Sequence, residues 1–332
     1  MFDVFNKYRN NDGYIVLNKI PNNQVHERVK GFDAYEVNGD IYLYKANIWT
    51  KPDIRELINE EIAKQAGCRN AEYDLAIYNG EKGLITKYFI KPNEEYLSGK
   101  ELLYKASFDN GDNTLYSYIL ALKKIGIPQN IIEIKTRELL EYHIVDIFTI
   151  QNDRHYGNIA FLKKDDMISL APRFDNEDSL IADLTDTKRK EFNQSRYKMQ
   201  IIRDELSFIS KTKKTEVFRL LSPIIPADPI IDYWETISWE TIPIVKIKEI
   251  LDKEQSLFPN TYTLDTYEMI RRKMQTMDSY IAKASRVNFN EIYYIFNQYN
   301  IKLSDMLKNY YQELYETRVE MFFDQKSKIK TR

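Results

Sequence analysis

The sequence predicts an α+β protein of two lobes, a small strand-rich lobe over residues 1–92 and a larger helical lobe over 93–332. Three observations lead there. Between residues 14 and 90 strand formers dominate, broken by Asn-Gly turns. Beyond residue 95 apolar residues recur at helical spacing, and Lys91-Pro92-Asn93 interrupts the pattern between the two halves. A cleft between such halves, near Ile90 to Glu94, is a natural ligand site.

The first hairpin is read from Asn38-Gly39, which precedes the strand 40–46. Alternation places Ile41, Leu43 and Lys45 on one face, and the two apolar neighbours predict that this face meets a core. After Pro52, residues 54, 58, 62 and 66 form an apolar helical stripe closed by Gly67. A second hairpin turns at Asn79-Gly80, between 75–78 and 83–86. The helical half is expected to hold helices over 113–125, 137–150, 265–284, 289–299 and 303–323, with a loop around Pro223, Pro226 and Pro229.

Composition supports a folded chain and narrows its partners. Of 332 residues 43% are hydrophobic and 13% aromatic, enough for real cores. With 48 basic and 50 acidic residues the net charge is −2, so no global field draws the chain to nucleic acid or membrane. No apolar run approaches the ~18 residues of a spanning helix, and the opening residues lack a signal-peptide core, so a cytoplasmic location is expected. The single cysteine, Cys68, excludes an internal disulfide and reads as a buried packing residue, and His26 and His143, with no partner pattern for metal or nucleophilic chemistry, read as structural.

The chemistry is concentrated in the stretch 149–161, where Asn158 follows Asp153 by five residues, and in a short strand that delivers Asp175, twenty-two residues after Asp153. Phosphoryl transfer needs a carboxylate to orient and deprotonate the attacking hydroxyl, and oxygen ligands to hold Mg²⁺ against a triphosphate. Asp153 fits the base, and Asn158 and Asp175 fit the metal ligands. Singly, each fragment is also what a capping loop or a plain turn looks like. Their order and spacing point to ATP and Mg chemistry.

The run Gln151-Asn152-Asp153-Arg154-His155, two residues and Asn158, followed by Ala171-Pro172, one residue and Phe174-Asp175, resembles the HipA-like serine/threonine kinases, especially their short members. The helix from Glu56 to Gly67 and the strand from Gly83 to Phe89 resemble the same group, so the likeness covers residues 25–185. It implies a two-lobed protein-kinase-like fold and a kinase acting on a protein substrate. It also implies Lys45 on the ATP phosphates, Glu56 as its helix partner, and the hinge Lys87, Tyr88 and Phe89 against adenine. Arg154 and His155 would hold the catalytic loop. An antitoxin or repressor partner is implied by the resemblance alone.

The pattern departs in two places. The stretch 22–31, where kinases carry a glycine-rich loop, has one glycine at its end, and residues 19–49 contain no Ser or Thr. Arg28 or Lys30 could meet phosphate there. After Asp175 the segment 176–198 holds Thr185, Thr187, Ser195 and Tyr197 among basic residues, as an activation segment or as an exposed charged loop. A lipid or small-molecule kinase is the alternative reading, and a pseudokinase binding module is another.

Overall fold

Two tight hairpins build the N-terminal sheet, for the reason the turns announce. The structure, a computed structural model, describes residues 1–20, 33–46, 54–108, 115–151, 154–165, 167–181, 184–212 and 264–330. The stretch 22–31 with Arg28 and Lys30, the residue Asp153 and the three prolines at 223, 226 and 229 lie outside the described residues. Strands β2 (Asp33–Val37) and β3 (Asp40–Ala46) pair antiparallel, with Val37 opposite Asp40. Their turn has φ 55° at Asn38 and 82° at Gly39, the double positive φ that a two-residue hairpin matching strand twist requires. The same chemistry at Asn79 and Gly80 joins β4 (Tyr73–Tyr78) to β5 (Glu81–Lys87). With the short β1 (Ile15–Val16), the sheet order is β1-β4-β5-β3-β2.

The alternation along β3 is as read, but its inside and outside are reversed. Tyr42 and Tyr44 are the buried pair and pack with Phe2, Phe5 and Ile85 in a satellite core. Ile41, Leu43 and Lys45 are only partly buried, so their face is not the core face. The large Tyr rings carry more apolar area than Ile and Leu, and they are closed over by the turn of 3₁₀-helix at Asp3–Tyr8.

Helix α1 (Ile54–Ala66) ends as its glycine dictates. Gly67 takes φ 79°, the N–H of Cys68 donates to the Ala63 carbonyl at 2.8 Å, and the N–H of Gly67 to Lys64 at 3.0 Å. Burial extends around most of the helix: Leu57, Ile58 and Ile62 join the main core, and Arg55, Glu56, Asn59, Glu60 and Glu61 are buried too. Cys68 is buried, and its burial pushes the thiol up to about 12.

A second sheet, β6 (Glu95–Ser98), β7 (Ala160–Lys164) and β8 (Met167–Leu170), is antiparallel and opens the helical part. Its helices are α2 (Gly99–Lys105), α3 (Leu115–Lys124), α4 (Gln129–Thr149), α5 (Asp186–Gln194), α6 (Lys198–Thr212), α7 (Leu264–Gln275), α8 (Asp278–Ala284), α9 (Phe289–Gln298) and α10 (Asp305–Lys330). The predicted helix over 265–284 is two helices. At the break the Thr276 N–H and hydroxyl both turn back to the Lys273 carbonyl, at 3.0 and 2.7 Å, tightening the turn and ending the i→i−4 ladder. Helix α4 starts eight residues before the predicted 137, immediately after Pro128. One apolar core runs from α1 and β4–β5 through α4 to α10, where Phe148 meets Phe322 and Tyr315 edge-on.

Candidate active site

The site grows from a buried carboxylate. Asp146 lies in the apolar run Ile144–Phe148 of α4, where a charge must be paired or neutralised. Two guanidinium groups pair it. Arg154 grips both carboxylate oxygens, Nε to Oδ2 at 2.9 Å and Nη2 to Oδ1 at 3.1 Å, and Arg173 Nε reaches Oδ1 at 2.7 Å. Burial pushes the Asp146 carboxyl up, but Arg154 and Arg173 outweigh it and hold the group below the usual carboxylate range.

Arg154 then organises both candidate metal ligands. Its Nη1 donates to the Asn158 carbonyl at 3.0 Å and to the Phe174 carbonyl at 2.8 Å, and its Nη2 to Asn176 Oδ1 at 2.6 Å. One side chain therefore fixes the loop bearing Asn158 and the turn bearing Asp175, although eighteen residues separate Asn158 from Asn176. Arg173 adds Asn59 Oδ1, Asn70 Oδ1 and Thr149 Oγ1. His155 accepts from the Gly157 N–H through Nδ1 at 2.8 Å, and its carbonyl accepts from the Asn158 N–H at 2.9 Å, which curls the loop. Arg154 and His155 thus hold the backbone of residues 155–158 by hydrogen bonds.

The backbone here is strained. Asp175 has φ 57°, Ile150 at the end of α4 has 53°, and Leu180 and Ile181 have 55° and 50°. Each such non-glycine residue costs roughly 1–2 kcal/mol, and the buried polar network is what holds them there. The Asp175 N–H is satisfied by the Tyr73 hydroxyl at 3.1 Å and its carbonyl by Gln151 Nε2 at 3.1 Å, leaving the carboxylate to face the cleft.

Lys45 meets that carboxylate from the strand side. Its Nζ lies 2.9 Å from Asp175 Oδ1 and 2.9 Å from Glu177 Oε2, so Lys45 and Asp175 share one site across 130 residues. Burial pulls the ammonium down, but the two carboxylates outweigh it and raise its pKa. The expected ion pair with Glu56 is not among those of the described residues. Glu56 instead accepts the Asn176 N–H at 2.7 Å and Asn176 Nδ2 at 3.1 Å. Burial, and then the charge on Asp175, raise its carboxyl to about 8. The physical reason is depth. Glu56 is 1% exposed whereas Lys45 stays at the cleft edge, and the neutral-to-charged amide donors of Asn176 satisfy a deep carboxylate without desolvating an ammonium. Glu60, one turn further along α1, is also buried; it accepts the Tyr73 N–H at 2.7 Å and pairs with Lys64.

At the hinge, the N–H of Lys87 donates to Glu72 at 3.4 Å and that of Tyr88 to Ile41 at 2.8 Å. Among the described residues the Phe89 N–H has no acceptor. Lys87 Nζ pairs with Asp40 at 2.7 Å, outside the cleft. Phe89 lies 5.9 Å from Phe174 and packs with Ile90 and Tyr96 on Ala160, Leu162 and Ala171, a small apolar cluster whose Phe174 directly precedes Asp175.

Sequence reasoning missed Asp146, Arg173, Asn176 and Glu177. The signal for Asp146 was present, a lone carboxylate in an apolar helical run. Asn176 carried none, because its role is set by Glu56 and Arg154, 120 and 22 residues away. The segment after Asp175 is not an exposed loop throughout: Asn176, Ser179, Leu180 and Ile181 are buried, and Thr185 caps α5 by accepting the Lys188 N–H.

The residues read from the sequence as metal ligands, Asp175 and Asn158, carry hard oxygens. They suit Mg²⁺, which takes one or two carboxylates and completes its shell with water and phosphate. Among the described residues no three His, Cys, Asp or Glu side chains cluster as a metal site, so an all-protein cage of those types is not what these residues offer.

No family model and no curated protein matches the chain in sequence. Solved structures do match. A proinflammatory kinase of Helicobacter pylori, CtkA, aligns over 88% of this chain and 90% of its own, with 16% identity and a TM-score of 0.53. HipA in a toxin–antitoxin complex with HipB and operator DNA, from Shewanella oneidensis MR-1, aligns over 86% of this chain and 58% of its own, with 12% identity and a TM-score of 0.43. At 16% identity it is architecture that is shared with CtkA, and the chain has a protein-kinase-like α+β fold, strand-rich at the front and mostly helical behind.

Proposed function

We propose that this chain is an ATP- and Mg-dependent serine/threonine protein kinase of the HipA-like type, divided into lobes at 92/93. The observation that supports the reading is the ion pair of Lys45 with Asp175 across 130 residues, beside a loop and a turn that Arg154 ties together through the Asn158 and Phe174 carbonyls. Lys45 would bind the phosphates, and the Phe89 N–H with the apolar cluster beside it would meet adenine. Bound magnesium would be held by Asp175 and Asn158 and would neutralise charge on the transferring phosphoryl group. Asp153, directly before Arg154, is the base that accepts the proton of the attacking hydroxyl; its part rests on the sequence. Glu56 acts through Asn176 to fix the Asp175 turn. A cognate antitoxin is part of the proposal through the family resemblance.

The test is phosphosite mass spectrometry after incubation of the protein and a lysate with ATP and Mg²⁺. Phosphorylated Ser or Thr in the protein itself or in lysate proteins is expected, with Asp153→Ala slower by about 10²–10⁴-fold. Label found only in lipid or small molecules would replace the protein substrate. An Asp153→Ala variant as active as the parent would remove the base.

A further inference from the structure

Away from the Lys45–Asp175 cleft, a cavity of about 880 Å³ opens between the start of α1, the β4–β5 hairpin, the start of α5 and the turn between α9 and α10. This volume falls within the 300–1,000 Å³ typical of small-molecule sites. Its wall has two characters. Leu75, Leu184, Ile301, Leu303 and Leu307 supply an apolar side. Arg55, Lys82, Arg189 and Lys302 supply four cations against two carboxylates, Asp12 and Asp186.

Arg189 Nη1 bonds Asp186 Oδ1 at 3.0 Å, which occupies one carboxylate, and Lys82 Nζ stands 4.7 Å from the Tyr14 ring centre, where it is a cation on an aromatic face. The Arg189 Nε is shielded from solvent and has no acceptor among the described residues. The Arg189 guanidinium also lies over the Tyr310 ring, 5.6 Å from its centre, and Lys302 is exposed at the same wall, so a largely apolar cavity carries cations that an anion's charged group can meet.

We propose that this cavity binds a small amphipathic organic anion, its charged group toward Arg189 and Lys302 and its apolar body against Leu303 and Leu307. The ligand would also be regulatory, an extension that rests on the kinase reading. Arg55 directly precedes Glu56, and Leu184 to Arg189 follow the segment that starts at Asp175, so the cavity touches both elements that hold the candidate active site. Any preference of the ligand for one arrangement of those elements must return as a change in nucleotide affinity of the same factor.

The test uses the full chain without nucleotide and the fluorescent anion 8-anilinonaphthalene-1-sulfonate, with neutral N-phenyl-1-naphthylamine beside it. Saturable one-site binding of the sulfonate is expected, weaker at high salt, and weakened about tenfold in Lys82→Gln/Lys302→Gln, two exposed positions whose loss leaves the core intact. Arg189→Gln should weaken it as well. Equal binding of the neutral probe, an unchanged double variant, or displacement of the sulfonate by ATP without magnesium in direct competition would overturn the site. Because this arm contains no phosphoryl transfer, its failure leaves the kinase reading untouched. The regulatory extension fails if saturating sulfonate leaves nucleotide affinity unchanged.

Discussion

Arg154 shows how much one side chain can decide. It is 2% exposed, makes five hydrogen bonds to Asp146, Asn158, Phe174 and Asn176, and so links the two loops on which the proposed chemistry stands. Replacing it with Met should cost about 3–5 kcal/mol in urea unfolding, because Asp146 keeps only Arg173. Arg154→Lys should not restore the loss, since a point charge cannot reproduce the planar fork. Two buried groups give the molecule opposed pH slopes. Burial lowers His143 to about 4, so the folded state keeps it neutral while the unfolded chain, near 6.5, takes up a proton. That contribution is present above pH 6.5 and is lost as pH falls toward 4. Glu56 runs the other way: raised to about 8, its contribution is present below about 4.5 and is lost as pH rises through 8. Urea midpoints from pH 4 to 8 should therefore show a flatter acid limb in His143→Phe and a flatter alkaline limb in Glu56→Gln.

At the scale of elements, what could be read in advance is what is decided locally. Both Asn-Gly hairpins and α1 with its Gly67 stop follow from turn chemistry and helical spacing, because positive φ at those positions is needed whatever surrounds them. Adding a methyl at Gly67 should cost about 1 kcal/mol: the position needs φ 79°, and the new Cβ would meet the Lys283 amine until that flexible chain moves aside. Gly67→Ala measured by thermal unfolding checks it. What could not be read is decided at a distance. The polar flank of α1 reads as solvent-facing in any apolar periodicity, yet Glu56, Asn59 and Glu60 are buried because Asn176, Arg173 and Tyr73 arrive from elsewhere in the chain. The inverted faces of β3 have the same origin, since the 3₁₀ turn that covers Tyr42 is not adjacent in sequence. Of the candidate site, Lys45, Asn158 and Asp175 were legible as residue types at a spacing, while the pairing of Lys45 with Glu177 in place of Glu56 was not.

For the whole molecule, the two halves were legible but their dependence on each other was not. Helix α1 lies against α4, α8 and α9, and the Gln65 side chain exchanges two hydrogen bonds with the Asn288 backbone, at 2.7 and 3.2 Å. No described helix is long and apolar enough to cross a membrane. The strand-rich part therefore owns only its small Tyr42–Phe5 core and borrows the other, which Ile58 and Ile62 enter with no exposed surface. Heat should melt both parts in a single transition followed alike by near-ultraviolet and far-ultraviolet circular dichroism, and two separated transitions would contradict the shared core.

That sharing limits how the polypeptide can be cut. A piece carrying residues 1–108 alone would leave Leu57, Ile58 and Ile62 facing water and strip Gln65 of its distant partner. Such a truncation should self-associate or stay unstructured, and nucleotide recognition by the front part cannot be studied apart from the helices that close behind it.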